Sequence, residues 1–220
     1  AMGPGTNLCG NVAVGYSALN LVVSQYNTAV GTCAMFNNSG VATCQNTVLG
    51  YRALGSTAGS QGATFVGFCA GYSGTQPGCT VGVGHTALKS VTTGIGNTAV
   101  GMYGMCKTTI GGCNTGLGSH TLCNNTTGKC NTAIGYKTGT TTTTGTNNIL
   151  IGYEVNASSA TADNEIVLGN SSNNILNIPG LGATSGCILE HNGSGFVAAS
   201  PSGGGGISTG KAIAMAMVFG

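Results

Sequence analysis

The chain has 220 residues, a formal net charge of +2 and only 5% charged residues, whereas about 25% of an average soluble domain is charged. This balance argues against a nucleic-acid-binding surface. The lack of any apolar run of ~20 residues argues against membrane insertion. Four acidic residues and three histidines leave little material for acid–base catalysis, so we do not expect an enzyme.

Residues 1–3 resemble the remnant of a cleaved tag. Residues 4–170 are dominated by a repeated tract of the form Asn-Thr-Ala-Val-Gly. We call its glycine the motif glycine and the segment from one motif glycine to the next a coil. The second interval is the longest and the first is the shortest, and the seven that follow are all equal. Equal spacing of this kind is typical of stacked repeats. The motif glycines are Gly15, Gly31, Gly50, Gly67, Gly84, Gly101, Gly118, Gly135, Gly152 and Gly169.

The residue before each motif glycine is always aliphatic, and we predict that this aliphatic column forms a core ladder. Seven of its ten members are β-branched, which favours extended backbone. They are Val14, Val30, Leu49, Val66, Val83, Val100, Leu117, Ile134, Ile151 and Leu168. The glycine itself fits a bend that needs a positive φ or admits no Cβ.

Three further columns repeat with the same period. An alanine column stands three residues after the motif glycine, at Ala18, Ala34, Ala53, Ala70 and Ala87, and a leucine column stands four after it, at Leu19, Met35, Leu54, Leu88, Met105 and Leu122. An asparagine column stands four residues before the glycine, at Asn11, Asn27, Asn46, Asn97, Asn114, Asn131 and Asn148.

These patterns predict an all-β fold, a parallel β-solenoid of about ten coils of 17 residues. Units rich in Gly, Thr, Ser and Asn have poor helix propensity, and one coil buries its apolar side only by stacking on the next. At ~4.8 Å between parallel strands, equivalent side chains form ladders. The apolar columns present more apolar surface than one thin coil can enclose, which favours contact with a neighbouring chain. A monomeric solenoid with an outer alanine face is the alternative.

The tracts NVAVGYSAL (11–19), NTAVGTCAM (27–35), NTVLGYRAL (46–54) and NTAIGYKTG (131–139) resemble the head repeats of trimeric autotransporter adhesins of the YadA type. They resemble still more closely the related repeats of phage and large-virus fibre proteins. The resemblance covers about residues 7–170. It implies a left-handed β-roll and a side-by-side homotrimer that serves as the stalk or head of an attachment structure.

Eight of the ten cysteines occur two to a coil: Cys33 with Cys44, Cys69 with Cys79, Cys106 with Cys113, and Cys123 with Cys130. We predict a disulfide within each of these coils. A competing scheme joins Cys106 to Cys123 and Cys113 to Cys130, because equivalent positions of adjacent coils fall within disulfide range. Cys9 and Cys187 have no assigned partner. No spacing typical of a zinc site occurs, and we expect no metal or other cofactor.

The period fades after Gly169. Residues 171–206 predict a turn-rich β linker or cap, and residues 207–220 predict an apolar C-terminal strand, because large and small residues alternate along KAIAMAMVFG. A helix is the alternative for this last segment, since Ala and Met are good helix formers.

An aromatic column follows the motif glycine at Tyr16, Tyr51, Phe68, Tyr136 and Tyr153. These rings are candidates for binding a host glycan or protein receptor; the alternative is that they stack on one another and shield the bend. Together these features favour a disulfide-braced fibre segment on a virion surface or otherwise outside cells.

Two other functions stay open. A threonine column three residues before the motif glycine suits an ice-binding solenoid: Thr28, Thr47, Thr64, Thr98, Thr115 and Thr132, interrupted by Val12, Val81, Ile149 and Ile166. A cellular surface adhesin or an extracellular filament subunit has the same physical requirements as a viral fibre.

Overall fold

A computed structural model of the chain describes residues 9–20, 25–38, 43–57, 59–75 and 77–172, together with the segments 188–191 and 196–199. All regular structure in these residues is β. The chain separates into two compact units, Ala1–Asn170 and Ser171–Gly220.

Ten three-residue strands of the first unit form a single parallel sheet, and two shorter strands form a second ladder. The sheet strands are β1 (Val12–Val14), β2 (Thr28–Val30), β4 (Thr47–Leu49), β6 (Thr64–Val66), β7 (Val81–Val83), β8 (Thr98–Val100), β9 (Thr115–Leu117), β10 (Thr132–Ile134), β11 (Ile149–Ile151) and β12 (Ile166–Leu168). The short strands β3 (Asn37–Asn38) and β5 (Ser56–Thr57) pair with each other, also in parallel.

Each sheet strand pairs with the strand of the next coil at equivalent positions. Thr98 lies opposite Thr115, which lies opposite Thr132. The short first coil and the long second coil keep this register, since Val12 pairs with Thr28 and Thr28 with Thr47. The predicted parallel β-solenoid and its regular repeat are therefore confirmed, and its ten strands bound about nine complete coils.

The motif glycines make the bend that ends each strand. From Gly15 to Gly152 their φ angles lie between 127° and 137°, a region that side-chain-bearing residues rarely adopt. They also stack so closely that a Cβ on Gly101 would lie 2.3 Å from the carbonyl oxygen of Gly118. Both reasons given for a glycine at this position are confirmed.

The interior of the solenoid is built from the leucine column, the alanine column and the residue two before each motif glycine, which we call the inward column. Members of the leucine and alanine columns are at most 1% exposed. The inward column contributes Ala29, Val48, Phe65, Ala99, Ala133 and Leu150, all fully buried. The alanines therefore line the interior and do not form an outer face.

The prediction that the aliphatic column forms the core ladder is wrong for the single chain. Val14 is 55% exposed and Leu168 is 54% exposed, and Val30, Val66, Val83, Val100 and Ile134 are only partly buried. Side chains alternate between the two faces of a strand. Because the inward column points into the solenoid, the residues on either side of it point out.

Buried asparagines run along the interior as a hydrogen-bonded ladder. The Nδ2 group of Asn114 donates to Oδ1 of Asn97 (3.1 Å) and to the carbonyl oxygen of Gly128 (2.9 Å). Its own Oδ1 accepts from the backbone N–H and the Nδ2 group of Asn131. Each amide is thus satisfied in a dry interior, where an unpaired polar group costs free energy.

In the second unit, β13 (Ile188–His191) and β14 (Phe196–Ala199) form an antiparallel pair with Ile188 opposite Ala199. Both strands fall within the predicted β linker. Cys187 and the predicted strand 207–220 lie outside the described residues.

Candidate functional site

The outer face of the ten-stranded sheet is a regular surface that runs along all ten strands. It consists of the threonine column and the aliphatic column, and we call it the outer sheet face. It carries no charged side chain. Several of its aliphatic side chains are more than a third exposed, namely Val12, Val14, Leu49, Leu117, Ile149, Ile151, Ile166 and Leu168.

Strand threonines lie in the same face beside these aliphatic rows. Thr47 and Thr115 are exposed, and Thr98 is partly exposed. In the described part of the chain no hydrogen bond uses the Oγ1 atoms of these threonines. Their hydroxyls are therefore available to solvent or to a partner.

A second threonine ladder, which the sequence reading missed, runs through the loops of five successive coils, from Thr75 to Thr143. The Oγ1 of Thr92 donates to the carbonyl oxygen of Thr109 (3.1 Å), and Thr109 donates in the same way to Thr126 (3.2 Å). The pattern continues through Thr143. Because these hydroxyls are used within the fold, this ladder braces the loops.

Aromatic rings form a continuous stack along the bend from Tyr51 to Tyr153. Successive ring centroids are 5.0–6.3 Å apart in the order Tyr51, Phe68, His85, Tyr103, His120, Tyr136, Tyr153. His85 follows its motif glycine directly, whereas Tyr103 and His120 stand one residue later. The sequence reading missed these three rings because it considered one position and only Tyr and Phe.

This stack favours the shielding role over a binding role for the aromatic column. Phe68 lies nearly parallel to His85 at 5.0 Å and to Tyr51 at 5.3 Å, so both of its faces are occupied. The ring of Phe68 therefore offers mainly its edge to solvent, although its side chain is 48% exposed. The position equivalent to Tyr16 in the next coil is Thr32 and not an aromatic residue, and Tyr16 is 78% exposed.

Beside the stack lies a polar groove of about 430 Å³ lined by His120, Cys123, Lys137, Thr140, Glu154 and Asn156. Lys137 Nζ lies 3.4 Å from Glu154 Oε1, and the neighbouring Tyr136, followed by Glu154, raises the pKa of Lys137. Burial raises the pKa of the Cys123 thiol. Cysteines activated as catalytic nucleophiles have a lowered pKa, which is the opposite of the shift at Cys123.

All nine described cysteines are free thiols, and none of the four predicted bridges within a coil is formed. The geometry explains why. Cys123 lines the groove beside His120, at the edge where the strands end, whereas Cys130 precedes β10. A strand of three residues at ~3.3 Å per residue separates these two edges, and a bridge requires Cα atoms within about 7 Å. The same strand separates the members of the other three pairs.

Known proteins offer no match: no family model, no curated protein and no solved structure matches this chain. Among the described residues, no three His, Cys, Asp or Glu side chains come together as a metal site would require. The same residues include no helix long and apolar enough to cross a membrane.

Proposed function

We propose that this protein is a structural and attachment protein, a stiff segment of a viral or phage fibre that assembles from three side-by-side copies at a virion surface or otherwise outside cells. The observation that supports the proposal is the outer sheet face, where an uncharged aliphatic column is at least partly exposed along all ten strands. No catalytic role is proposed.

The outer sheet face fits a second and third copy of the same chain better than an unrelated partner. Its ten strands span about 43 Å at ~4.8 Å per interval. An aliphatic residue recurs at the end of every strand, and a threonine begins six of the ten strands. A copy with the same period matches the face along its full length, whereas a globular partner would cover only part of it. Three copies are proposed because the tracts resemble trimeric fibre repeats.

Light scattering of the purified protein tests this assembly. We expect a mass of three times the 21.4 kDa chain, and a monodisperse monomer would contradict the proposal. The variant Leu117→Asp places a charge in the aliphatic column at a side chain that is 48% exposed. It should give monomers with an unchanged circular dichroism spectrum, because the single chain tolerates a charge there but an apolar interface does not.

Thr144→Asp is the matched control for this variant. Thr144 is exposed in a loop away from the outer sheet face, so the added charge should leave the trimer intact. Dissociation of both variants would show that charge alone, and not its position on the face, disrupts assembly.

Ice binding is the second candidate, favoured by the unpaired hydroxyls of the threonine column on a regular sheet. Thermal hysteresis of the purified protein, with its loss in Thr98→Tyr and its retention in Thr144→Tyr, would support this function. A sample without thermal hysteresis or ice shaping rules it out. A cellular adhesin or an extracellular filament subunit predicts the same trimer as the viral fibre.

A further inference from the structure

We propose that oxidation by a small disulfide joins Cys106 to Cys123 and Cys113 to Cys130, so that two bridges staple one coil of the solenoid to the next. The coils concerned run from Gly101 to Leu117 and from Gly118 to Ile134. This site does not depend on the proposed fibre function.

Cys113 and Cys130 occupy equivalent positions of adjacent coils. The backbone N–H of Cys130 donates to the carbonyl oxygen of Gly112 (3.1 Å), and that of Cys113 donates to Ile95 one coil earlier (2.9 Å). This is the in-register ladder of parallel backbone. It sets the two Cα atoms ~4.8 Å apart, inside the 4.4–6.8 Å range of disulfides.

The side chains of Cys113 and Cys130 also point the same way. Both residues adopt left-handed backbone, with φ angles of 58° and 56°, and they occupy equivalent positions of the ladder, so their Cα–Cβ bonds point the same way. A bridge then draws the two Cβ atoms from ~4.8 Å to the 3.5–4.5 Å of a disulfide. Both are exposed, which leaves the two thiols open to a dissolved oxidant.

Cys106 and Cys123 form a second stacked pair on the groove side. The Sγ of Cys106 lies 3.6 Å from the carbonyl oxygen of Cys123. Both side chains are partly exposed. Burial, followed by the negative charge of a Cys123 thiolate, raises the pKa of Cys106, which is consistent with two sulfur atoms close in space.

Each bridge forms by two thiol–disulfide exchanges. The thiolate of one cysteine attacks the small disulfide, whose S–S bond breaks and releases one small thiolate, leaving a mixed disulfide on the protein. The thiolate of the stacked cysteine then attacks the protein sulfur and expels the second small thiolate. The protein loses two electrons and two protons per bridge, and the small disulfide is reduced to two thiols.

Double variants distinguish stacked bridges from bridges within a coil. Cys113→Ser with Cys130→Ser keeps Cys106 and Cys123, which are stacked. Cys106→Ser with Cys113→Ser keeps Cys123 and Cys130, which share a coil. Each protein is treated with oxidised glutathione, alkylated under denaturing conditions and digested with trypsin, which cuts after Lys89, Lys107, Lys129 and Lys137.

The first variant should yield peptide 90–107 linked to peptide 108–129, and reductant should separate them. The second should yield peptides 108–129 and 130–137 unlinked, each of them alkylated or carrying one glutathione as a mixed disulfide. Linkage in the second variant, or an unlinked first variant with an unchanged circular dichroism spectrum, would overturn the proposal.

If the first variant fails to fold, Cys106→Ser with Cys123→Ser replaces it. This variant keeps the exposed stacked pair Cys113 and Cys130, and it should link peptide 108–129 to peptide 130–137. A thermal melt provides a second readout: the oxidised wild-type protein should unfold at a higher temperature than the reduced protein. An equal melting temperature for the two forms contradicts a staple between coils.

Discussion

Some buried threonines of the solenoid have a hydroxyl without a partner. Thr108 and Thr142 occupy the same position of their coils, seven residues after the motif glycine, and neither Oγ1 forms a hydrogen bond. Val91 fills this position in an earlier coil and is fully buried. The interior therefore accepts an apolar side chain of this shape, and the hydroxyl contributes only its desolvation cost.

Thr108→Val should raise the free energy of unfolding by about 1 kcal/mol, because it removes an unsatisfied buried hydroxyl without changing the shape of the side chain. Chemical denaturation of the reduced protein measures the effect. Thr138→Val is the control: the Oγ1 of Thr138 donates to the carbonyl oxygen of Gly152, so its removal should be destabilising. Stabilisation by both substitutions would show that general β-propensity, and not the missing partner, is responsible.

The partly buried thiols predict a pH dependence. Burial raises the pKa of both Cys106 and Cys123, so in the reduced fold these thiols are less ionised at a given pH than in the unfolded chain. Alkylation of Cys106 by iodoacetamide should therefore be slower in the folded protein, and its rate should level off at a higher pH than in urea. Mass spectrometry of peptide 90–107 measures both profiles.

The same shift has a consequence for stability. A group whose pKa is raised by folding stabilises the fold below its unfolded pKa, and this contribution is lost as the pH rises through the folded value. Reduced protein should lose stability in this alkaline range, and Cys106→Ser should lose less. Coinciding alkylation profiles for the folded and unfolded protein would contradict the raised pKa.

At the scale of the strand and its bend, the motif glycines determine how closely two coils approach. Gly101 has a φ of 137°, and a Cβ there would overlap the backbone of Gly118. Gly101→Ala should cost about 3–5 kcal/mol, from backbone strain and overpacking together. Gly78→Ala is the control, because its Cβ would meet nothing closer than 3.7 Å. Thermal melts of both variants measure the difference, and equal melting temperatures would show that the bend tolerates a side chain.

The sequence predicted the strands and bends better than the direction of their side chains. Each column was visible as a period, but the leucine and alanine columns were predicted only to be apolar and an outer alanine face was left open, whereas both columns are buried. The side of the sheet on which a column lies depends on where the bend begins, and a shift of one residue exchanges inside for outside. For that reason the aliphatic column was placed in the core, whereas Phe65, Val48 and Leu150 occupy it.

Side-chain size in the interior also varies from coil to coil, and no single column of the sequence reveals how these sizes are matched. Phe65 is the bulkiest side chain of the inward column, and Gly82 and Gly71 stand next to it. A Cβ on either glycine would lie 2.6 Å from a ring carbon of Phe65. The large residue and its two small neighbours conserve interior volume across adjacent coils, which becomes visible only when the coils are stacked.

For the whole molecule, the ten strands of the sheet followed from the sequence, because each of the ten motif glycines ends one strand. The first two coils, from Gly15 to Gly31 and from Gly31 to Gly50, show where unequal lengths are absorbed, since the strands on both sides stay in register. The additional pair of β3 with β5 lies in the long second coil and the one after it. Length changes are therefore accommodated in the loops.

A stack of nearly independent coils predicts that a whole coil can be removed. Deleting residues 101–117 joins Val100 to Gly118 and restores the motif, so β8 should pair with β10 and Asn97 with Asn131. We expect an unchanged β-type circular dichroism spectrum and a cooperative melt at a slightly lower temperature, because one interface between coils is lost.

Comparing the melting temperature of this variant with that of a smaller deletion tests the stacking of separate coils more stringently. Removing only residues 101–109 takes out half a coil. The segment that then remains between Gly84 and Gly118 is too long for one coil and too short for two. This variant should lose more of its melting temperature than the whole-coil deletion, although it lacks fewer residues. In a globular domain with one shared core the larger deletion would do more damage. If the half-coil variant proves the more stable of the two, the coils do not stack as separate units.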